Sequence, residues 1–459
     1  MSSRWPLVLV VVLAASRVWA DTPRATDLVA FQQDLDKVFE SDGLTADEAA
    51  RRAAKAAPLM ARKRASIEVA SAELSRSKRT LLPVIAGKAA YTRLSHLDPV
   101  MLPLGGQVFV IPFLDNSYSV GAQALVNVSD YLVRDPATIG GASEALNAAK
   151  LDRQGASAAI GQQAREIYYE WMRARLQVLV AKRQLAQVES TLAQVKTLVE
   201  VQRASTADKL RVESQRAQAQ QTIDRLSSAV ELREEQLRLL TGTPGDEALS
   251  VGEDVREDVK VPDLPELDEL AAKATERRPE VKAIEAGISA KESLRRADGS
   301  TLLPRVSAFA TVDYADPNPR VFPQKDELRL TWAVGLQLNW VINESLVASD
   351  TRRRIAAETD ELRADRRGLE QRVRLEVLGA MQAVKLARRA IKTSQQGVDA
   401  AEEGYRVRKD LFGAGRASVV EMVDVETELS RARIAALDAR IDLRIALAKL
   451  AYATGDSKR

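Results

Sequence analysis

The second half of the chain repeats the first. Pro58, Leu81, Leu82 and Pro83 recur as Pro279, Leu302, Leu303 and Pro304, each displaced by 221 residues. Val120, Gly121 and Gln123 recur as Val334, Gly335 and Gln337 at a displacement of 214. Ser205, Leu210, Val212 and Glu213 line up with Ser418, Val423, Val425 and Glu426 at 213, as Thr241 and Gly242 do with Thr454 and Gly455. The shrinking offset places about seven extra residues in the first copy, between Pro83 and Val120, where an insertion is expected to be a loop. One supersecondary module is therefore used twice, and any fold for this chain must accommodate both copies.

Each copy reads as helix, strand, strand, helix, helix. Residues 44–79 and 267–300 carry a helical pattern that stops before a Leu-Leu-Pro triplet, where proline disfavours a preceding helical residue. Strands are expected next, at about 84–95 and 116–130 in the first copy and about 305–315 and 327–341 in the second. Leu328, Leu330, Trp332, Val334, Leu336, Leu338 and Trp340 alternate strictly with Arg329, Thr331, Ala333, Gly335, Gln337 and Asn339. That pattern gives one oily face and one small or polar face. Val306, Ala308, Ala310, Val312 and Tyr314 alternate likewise, with Phe309 as the exception on the other face. Tyr118, Val120, Ala122, Ala124, Val126 and Val128 take the outward positions in the first copy.

Alternation alone fits an antiparallel sheet on a soluble core equally well, and two further features favour lipid. Trp332 and Trp340 share a face eight residues apart. That separation is ~26 Å at ~3.3 Å per residue, and a strand tilt near ~40° brings it to the height of an outer-membrane apolar band between two aromatic girdles. Four strands cannot close a barrel, and membrane barrels have no open edge, so several chains must each contribute four. Trp332, Trp340 and Tyr118 are the expected membrane-interface aromatics.

The helices after the strands are long. Ile167, Trp171, Ala174, Val178, Ala181, Leu185, Val188, Leu192, Val195 and Val199 follow a 4-3-4-3 spacing, the seam of a coiled coil, and Ala380, Val384, Ala387, Ile391, Val398, Ala401 and Tyr405 continue that type of seam in the second copy. With aromatics at only 4% of the chain, packing through small residues is expected. Residues 142–203 as one helix would reach ~90 Å at 1.5 Å per residue. Residues 242–266, carrying Pro244, Gly245, Pro262 and Pro265, read as an ordered or semi-ordered linker between repeats 44–241 and 267–455. Residues 21–43 form a polar N-terminal extension and 456–459 a tail, and His96 falls in the loop between the first two strands.

At the N-terminus Arg4 precedes an apolar run from Leu7 to Ala15, and Val18 and Ala20 sit where signal peptidase reads small residues before Asp21. Residues 1–20 are therefore expected to be a signal peptide, too short in its apolar run to span a bilayer. With no cysteine and one histidine, a disulfide framework, a Cys/His zinc site and a Cys/His nucleophilic pair are excluded, as is acylation of an N-terminal cysteine. A formal charge of +3 gives no basic stripe for nucleic acid. No phosphate-loop pattern or acidic cluster with metal spacing supports an enzyme, so no catalytic residue, cofactor or metal is assigned.

The paired helix, Leu-Leu-Pro and strand modules, the Arg278-Pro279-Glu280 sequence, and the Gly415, Ser418, Glu421, Val423 and Glu426 spacing resemble the TolC-type outer-membrane efflux protein family over about residues 40–455. The resemblance implies a mainly α protein with membrane β: a homotrimer in which four strands per chain build one twelve-stranded β-barrel, continued by a long α-helical coiled-coil tunnel. It implies an outer-membrane location extending into the periplasm. It also implies a passive exit duct for efflux or type I secretion, working with a periplasmic adaptor (membrane fusion) protein and an inner-membrane pump of RND or ABC type.

By the same resemblance, residues 202–208 and 413–421 are periplasmic tips, with Gln202, Ser205, Gly413, Gly415, Arg416 and Ser418 as adaptor contacts. Glu421, Asp424 and Asp208 would line the aperture. Three copies of Glu421 and Asp424 would make a ring of negative charge that favours cations, with mutual repulsion raising some pKa values. Lys209 and Arg211 are expected to pair with these acids and hold a closed state. Two departures stand out. Gln202 replaces the turn glycine Gly415, which suggests a different turn or a weaker adaptor contact at the first tip, and the family's tip arginine falls on Ala417, with Arg416 one position early. The competing reading is an exported, soluble coiled-coil scaffold whose strands form a small sheet, released without detergent.

Overall fold

The structure, a computed structural model, describes residues 31–111 and 113–456. The signal-peptide assignment for 1–20, the first ten residues of the N-terminal extension and residues 457–459 of the tail lie outside the described residues. The elements in chain order are β1 (Phe39–Leu44), α1 (Ala46–Ala56), α2 (Pro58–Arg79), β2 (Val84–Arg93), β3 (Val100–Leu104), β4 (Gln107–Ile111), β5 (Asn116–Asn127), α3 (Arg134–Glu200) and α4 (Thr206–Thr241). The second repeat follows with α5 (Leu267–Arg277), α6 (Pro279–Gly299), β6 (Arg305–Asp316), β7 (Arg329–Asn339), α7 (Ile342–Gly413) and α8 (Val419–Ala453). No described helix is long and apolar enough to cross a membrane.

The helix expected over residues 44–79 is two helices, and so is its counterpart over 267–300. Pro58 and Pro279 each open the second one, because proline at the first helical position supplies its fixed φ and has no N–H to leave unsatisfied. The insertion in the first copy is not a plain loop. It folds as the β3–β4 hairpin, in register from Val100↔Ile111 to Leu104↔Gln107, turning through Gly105 and Gly106 at φ 59° and 86°. Both central residues of such a turn need positive φ, which glycine reaches without steric cost.

The chain divides into two compact units. One holds Ala54–Ile160, Asp263–Met381 and the chain from Lys449. Within it β2, β5, β6 and β7 form one antiparallel sheet in the order β2-β5-β6-β7. The register gathers Ile85, Ala89 and Tyr91 with Tyr118, Val120 and Ala124 on one face, continued by Val312 and Tyr314 and then by Leu330, Trp332, Val334 and Leu336. The opposite face carries Lys88, Ser119, Gln123, Thr311, Asp313, Thr331 and Gln337. Two glycines shape this polar face. Lys88 reaches Asp313 at 3.6 Å across Gly121, where a Cβ would lie 2.6 Å from Asp313 Oδ1. Phe309, the exception in the alternation, covers Gly335, whose Cβ would lie 2.8 Å from the ring.

In the same unit Arg278 is buried at the start of α6. Its guanidinium pairs with Glu376, lies 3.3 Å from Glu280, donates to the Tyr452 hydroxyl at 3.2 Å and stacks 4.8 Å from that ring's centre. The Arg-Pro-Glu sequence is thus a buried clamp between α6, α7 and α8.

The other unit holds the chain up to Ala53, Gly161–Pro262 and Gln382–Ala448. Here the inter-repeat linker is ordered: Leu44 N–H donates to the Ser250 carbonyl and Gly252 N–H to the Leu44 carbonyl, both at 2.9 Å. Gly43 and Gly252 touch so closely that a Cβ on Gly252 would sit 2.1 Å from the Gly43 oxygen. The seam residues Trp171, Ala174, Ala181, Val188, Leu192 and Val195 of α3 are buried, joined by Tyr168, Met172, Leu176 and Val180.

Candidate functional site

Two helix-to-helix turns lie in this second unit, one per repeat. Both end their first helix in the same way. Arg203 N–H donates to the Leu198 carbonyl at 2.7 Å and Gln202 N–H to Val199 at 3.0 Å. In the second repeat Arg416 N–H donates to Leu411 at 2.8 Å and Gly415 N–H to Phe412 at 2.9 Å. This double bond is the C-terminal cap that requires a left-handed residue. Gln202 takes that conformation at φ 57° and Gly415 at φ 72°. The first tip therefore does not have a different turn: hydrogen bonds to the last carbonyls fix the backbone, and glutamine accepts it.

Both tips also start their second helix alike. Asp208 N–H donates to Ser205 Oγ at 3.1 Å, and the Ser205 N–H and hydroxyl donate back to Asp208 Oδ2 at 3.1 and 2.7 Å. Glu421 N–H donates to Ser418 Oγ at 3.3 Å, and the Ser418 N–H and hydroxyl donate back to Glu421 Oε2 at 2.8 and 3.0 Å. These are reciprocal capping boxes, in which each carboxylate satisfies a backbone donor that the helix leaves open. The other oxygen of Glu421 takes a hydrogen bond from Arg408 Nη1 at 2.8 Å.

In the protomer the backbone N–H and hydroxyl of Ser418, followed by the charge of Arg408, hold the Glu421 carboxyl below the usual carboxylate range. The hydroxyl and N–H of Ser205, followed by Arg211, do the same for Asp208. Within the protomer Lys209 lies 3.7 Å from Glu213 on its own helix. Asp424, three residues past Glu421, is exposed, and no hydrogen bond or ion pair involves it among the described residues. Gln202, Ser205, Gly413, Gly415, Arg416 and Ser418 are all exposed at the tips.

The sequence places Glu426 in the family spacing but assigns it no role. Its side chain is completely buried, with the Thr191 hydroxyl of α3 donating to Oε1 at 2.6 Å. Burial pushes the carboxyl up to about 7, against the hydrogen bond from Thr191 and the charge of Lys409. Its i−4, i−3 and i+3 neighbours Met422, Val423 and Leu429 are apolar and buried, a pattern that was the available signal.

On the sheet, Trp332, Trp340 and Tyr118 expose 69%, 56% and 50% of their surface, and Leu330, Val334, Leu336 and Leu338 are as open. A continuous apolar face of this size on a soluble chain would be a binding or membrane surface. Strands β2 and β7 each pair on one side only among the described residues. His96 is an exposed loop residue whose Nδ1 lies 3.1 Å from Asp115 Oδ1. No group of three or more metal-ligating side chains is found among the described residues.

The chain thus combines a four-stranded sheet that exposes an apolar face with long helices that end in capped turns. Residues 270–456 match the family described as outer membrane efflux protein. No curated protein matches the chain in sequence. Among solved structures, CusC superposes with a TM-score of 0.76 at 14% identity, covering 91% of this chain and 93% of that one. The Campylobacter jejuni CmeC outer membrane channel gives 0.75 at 14% identity over 100% and 94%. The open state of the Neisseria gonorrhoeae MtrE outer membrane channel gives 0.73 at 19% identity over 89% and 88%. The match to the outer membrane efflux protein family is thus confined to residues 270–456, while nearly the whole chain carries the fold of these channels.

Proposed function

We propose that this protein is the outer-membrane exit duct of a tripartite efflux or type I secretion system, conducting cargo passively without chemistry on it. The observation that carries the reading is the four-stranded sheet with one apolar face, one polar face and two unpaired edges. Three copies would supply twelve strands, close every edge and turn the apolar face to lipid. The long helices would line the periplasmic tunnel, and the tips would meet a periplasmic adaptor (membrane fusion) protein serving an inner-membrane pump. At the aperture Asp424 would present the charge of the acidic ring, while Glu421 and Asp208 hold the turns that position it.

Membrane fractionation followed by mass measurement in detergent tests the duct. A trimer confined to the outer membrane and conducting ions in a planar bilayer is expected; a detergent-independent soluble monomer or dimer would establish the scaffold instead. Lipid-borne quenchers offer a finer check. Trp332 and Trp340 should be quenched, while Trp171, buried among the helices, should not.

A further inference from the structure

Glu426 is a buried acid with no ion-pair partner among the described residues, the charge of Lys409 acting on it only from a distance. Its Oε2 is shut off from solvent with no hydrogen-bond partner. The core beside it is apolar and is built from all four tip helices, with Leu192 from α3, Val212 from α4, Phe412 from α7 and Met422 from α8. Its one hydrogen bond, from Thr191, joins α3 of the first repeat to α8 of the second. Polar and charged groups lie around this region on all four helices, among them Ser430, buried one turn beyond Glu426 on α8. From α3 they are Thr191 and the buried Gln187. From α4 there is Glu213, beside Val212 and drawn to Lys209 at 3.7 Å. From α7 there are Tyr405 and Lys409, the Lys409 ammonium lying 5.6 Å from the centre of the Tyr405 ring. Along α8 itself there is Arg433, held by Glu402 at 3.1 Å.

An ionised carboxylate in such a place has lost its hydration and gained a single donor, so the packed arrangement favours the neutral acid. Parting α3 from α8 would break the Thr191 contact and let water reach both oxygens, which favours the ion. We propose that Glu426 is a proton-binding site that couples the packing of the two hairpins at the tips to pH, protonated when they are packed and ionised when they part. The proposal rests on the duct reading, in which parting the hairpins opens the tunnel.

The sign follows from linkage. Burial raises the carboxyl from its ordinary value of 4.5 to about 7, so the packed state binds the extra proton between those values. Its stability falls as pH rises through that window and levels off above it. The tips should therefore open more readily at neutral and alkaline pH than at acidic pH.

The test compares the full-length protein with Glu426→Gln, which keeps the shape and accepts the Thr191 hydrogen bond but cannot ionise. Channel conductance in planar bilayers should rise several-fold for the wild type between about pH 5 and 8 and stay flat and low for Glu426→Gln. Thr191→Val, which removes the one hydrogen bond favouring the ion, should shift the wild-type rise to higher pH. An unaltered pH profile in Glu426→Gln would overturn the proposal. Thermal unfolding in detergent decides the same point without a channel. The wild-type midpoint should fall across this pH range and that of Glu426→Gln should not; equal slopes overturn the proton site. Absence of conductance at every pH in both proteins would instead sink the duct reading, leaving the unfolding profiles to judge Glu426.

Discussion

Gln202 and Gly415 stand 213 residues apart and hold the same left-handed backbone, at φ 57° and 72°, in the same hydrogen-bonded cap. Only glycine reaches this region freely; a side chain there costs about 1 kcal/mol. Replacing Gln202 by glycine should raise the chemical-denaturation midpoint by the equivalent of ~0.5 kcal/mol, the relief of strain exceeding the extra freedom of the unfolded chain. Gly415→Ala, with nothing within 4 Å of the new Cβ, should lower the midpoint by a similar amount through the backbone alone. Equal behaviour of the two substitutions would show that the cap does not set the turn.

The capping boxes predict an acid-labile tip. Because Glu421 is held below its ordinary range, the stabilisation it gives is present above an ordinary carboxylate pKa and is lost as pH falls through its lowered value. Amide exchange at residues 419–422 should accelerate selectively under strongly acidic conditions. Glu421→Gln should show the fast exchange already at neutral pH. Ser418→Ala should cost ~1 kcal/mol of local stability at any pH.

Arg278 is the buried centre of its cluster, while Glu376 stays partly in water. Arg278→Met should destabilise less than Arg278→Ala, since it refills the space while giving up the charge. For the alanine variant we expect a loss of ~2–3 kcal/mol, at the low end for a broken buried pair because the partners remain hydrated. Urea unfolding of the two variants provides the comparison, and a loss in Arg278→Ala no larger than a surface substitution causes would refute the clamp.

Gly335 and Phe309 form a matched pair on the polar face of the sheet. A valine at 335 would collide with the ring, at a cost of ~1–3 kcal/mol for overpacking. Gly335→Val should lower the temperature at which the assembled protein dissociates in detergent, and Gly335→Val with Phe309→Ala should recover part of the loss. No recovery in the double variant would show that the ring does not occupy that space.

Much of this architecture is legible from side-chain period alone. Strict alternation from Leu328 to Trp340 locates β7 and its apolar face, and the spacing from Trp171 to Val195 marks a buried seam, because both signals follow from local geometry. What escapes are features set by contacts distant in sequence. The cap that Ser418 and Glu421 form is local, but nothing in the sequence pairs Arg408 with Glu421, and nothing near Glu426 announces Thr191. The break at Pro58 was readable in principle, since a proline that opens a helix also ends the one before it. The family match stops short of the first repeat, where Ala57-Pro58 and Gln202 stand in place of Arg278-Pro279 and Gly415 while the turn keeps the same backbone.

The unpaired edges at β2 and β7 have a kinetic meaning. A single copy has no way to complete its own hydrogen-bond ladder in lipid, where each open N–H or carbonyl is costly. If three copies close the barrel, folding and association become one reaction of high molecular order. The yield of inserted protein would then fall steeply on dilution, and the stability of one subunit would have no value separable from the concentration of its fellows.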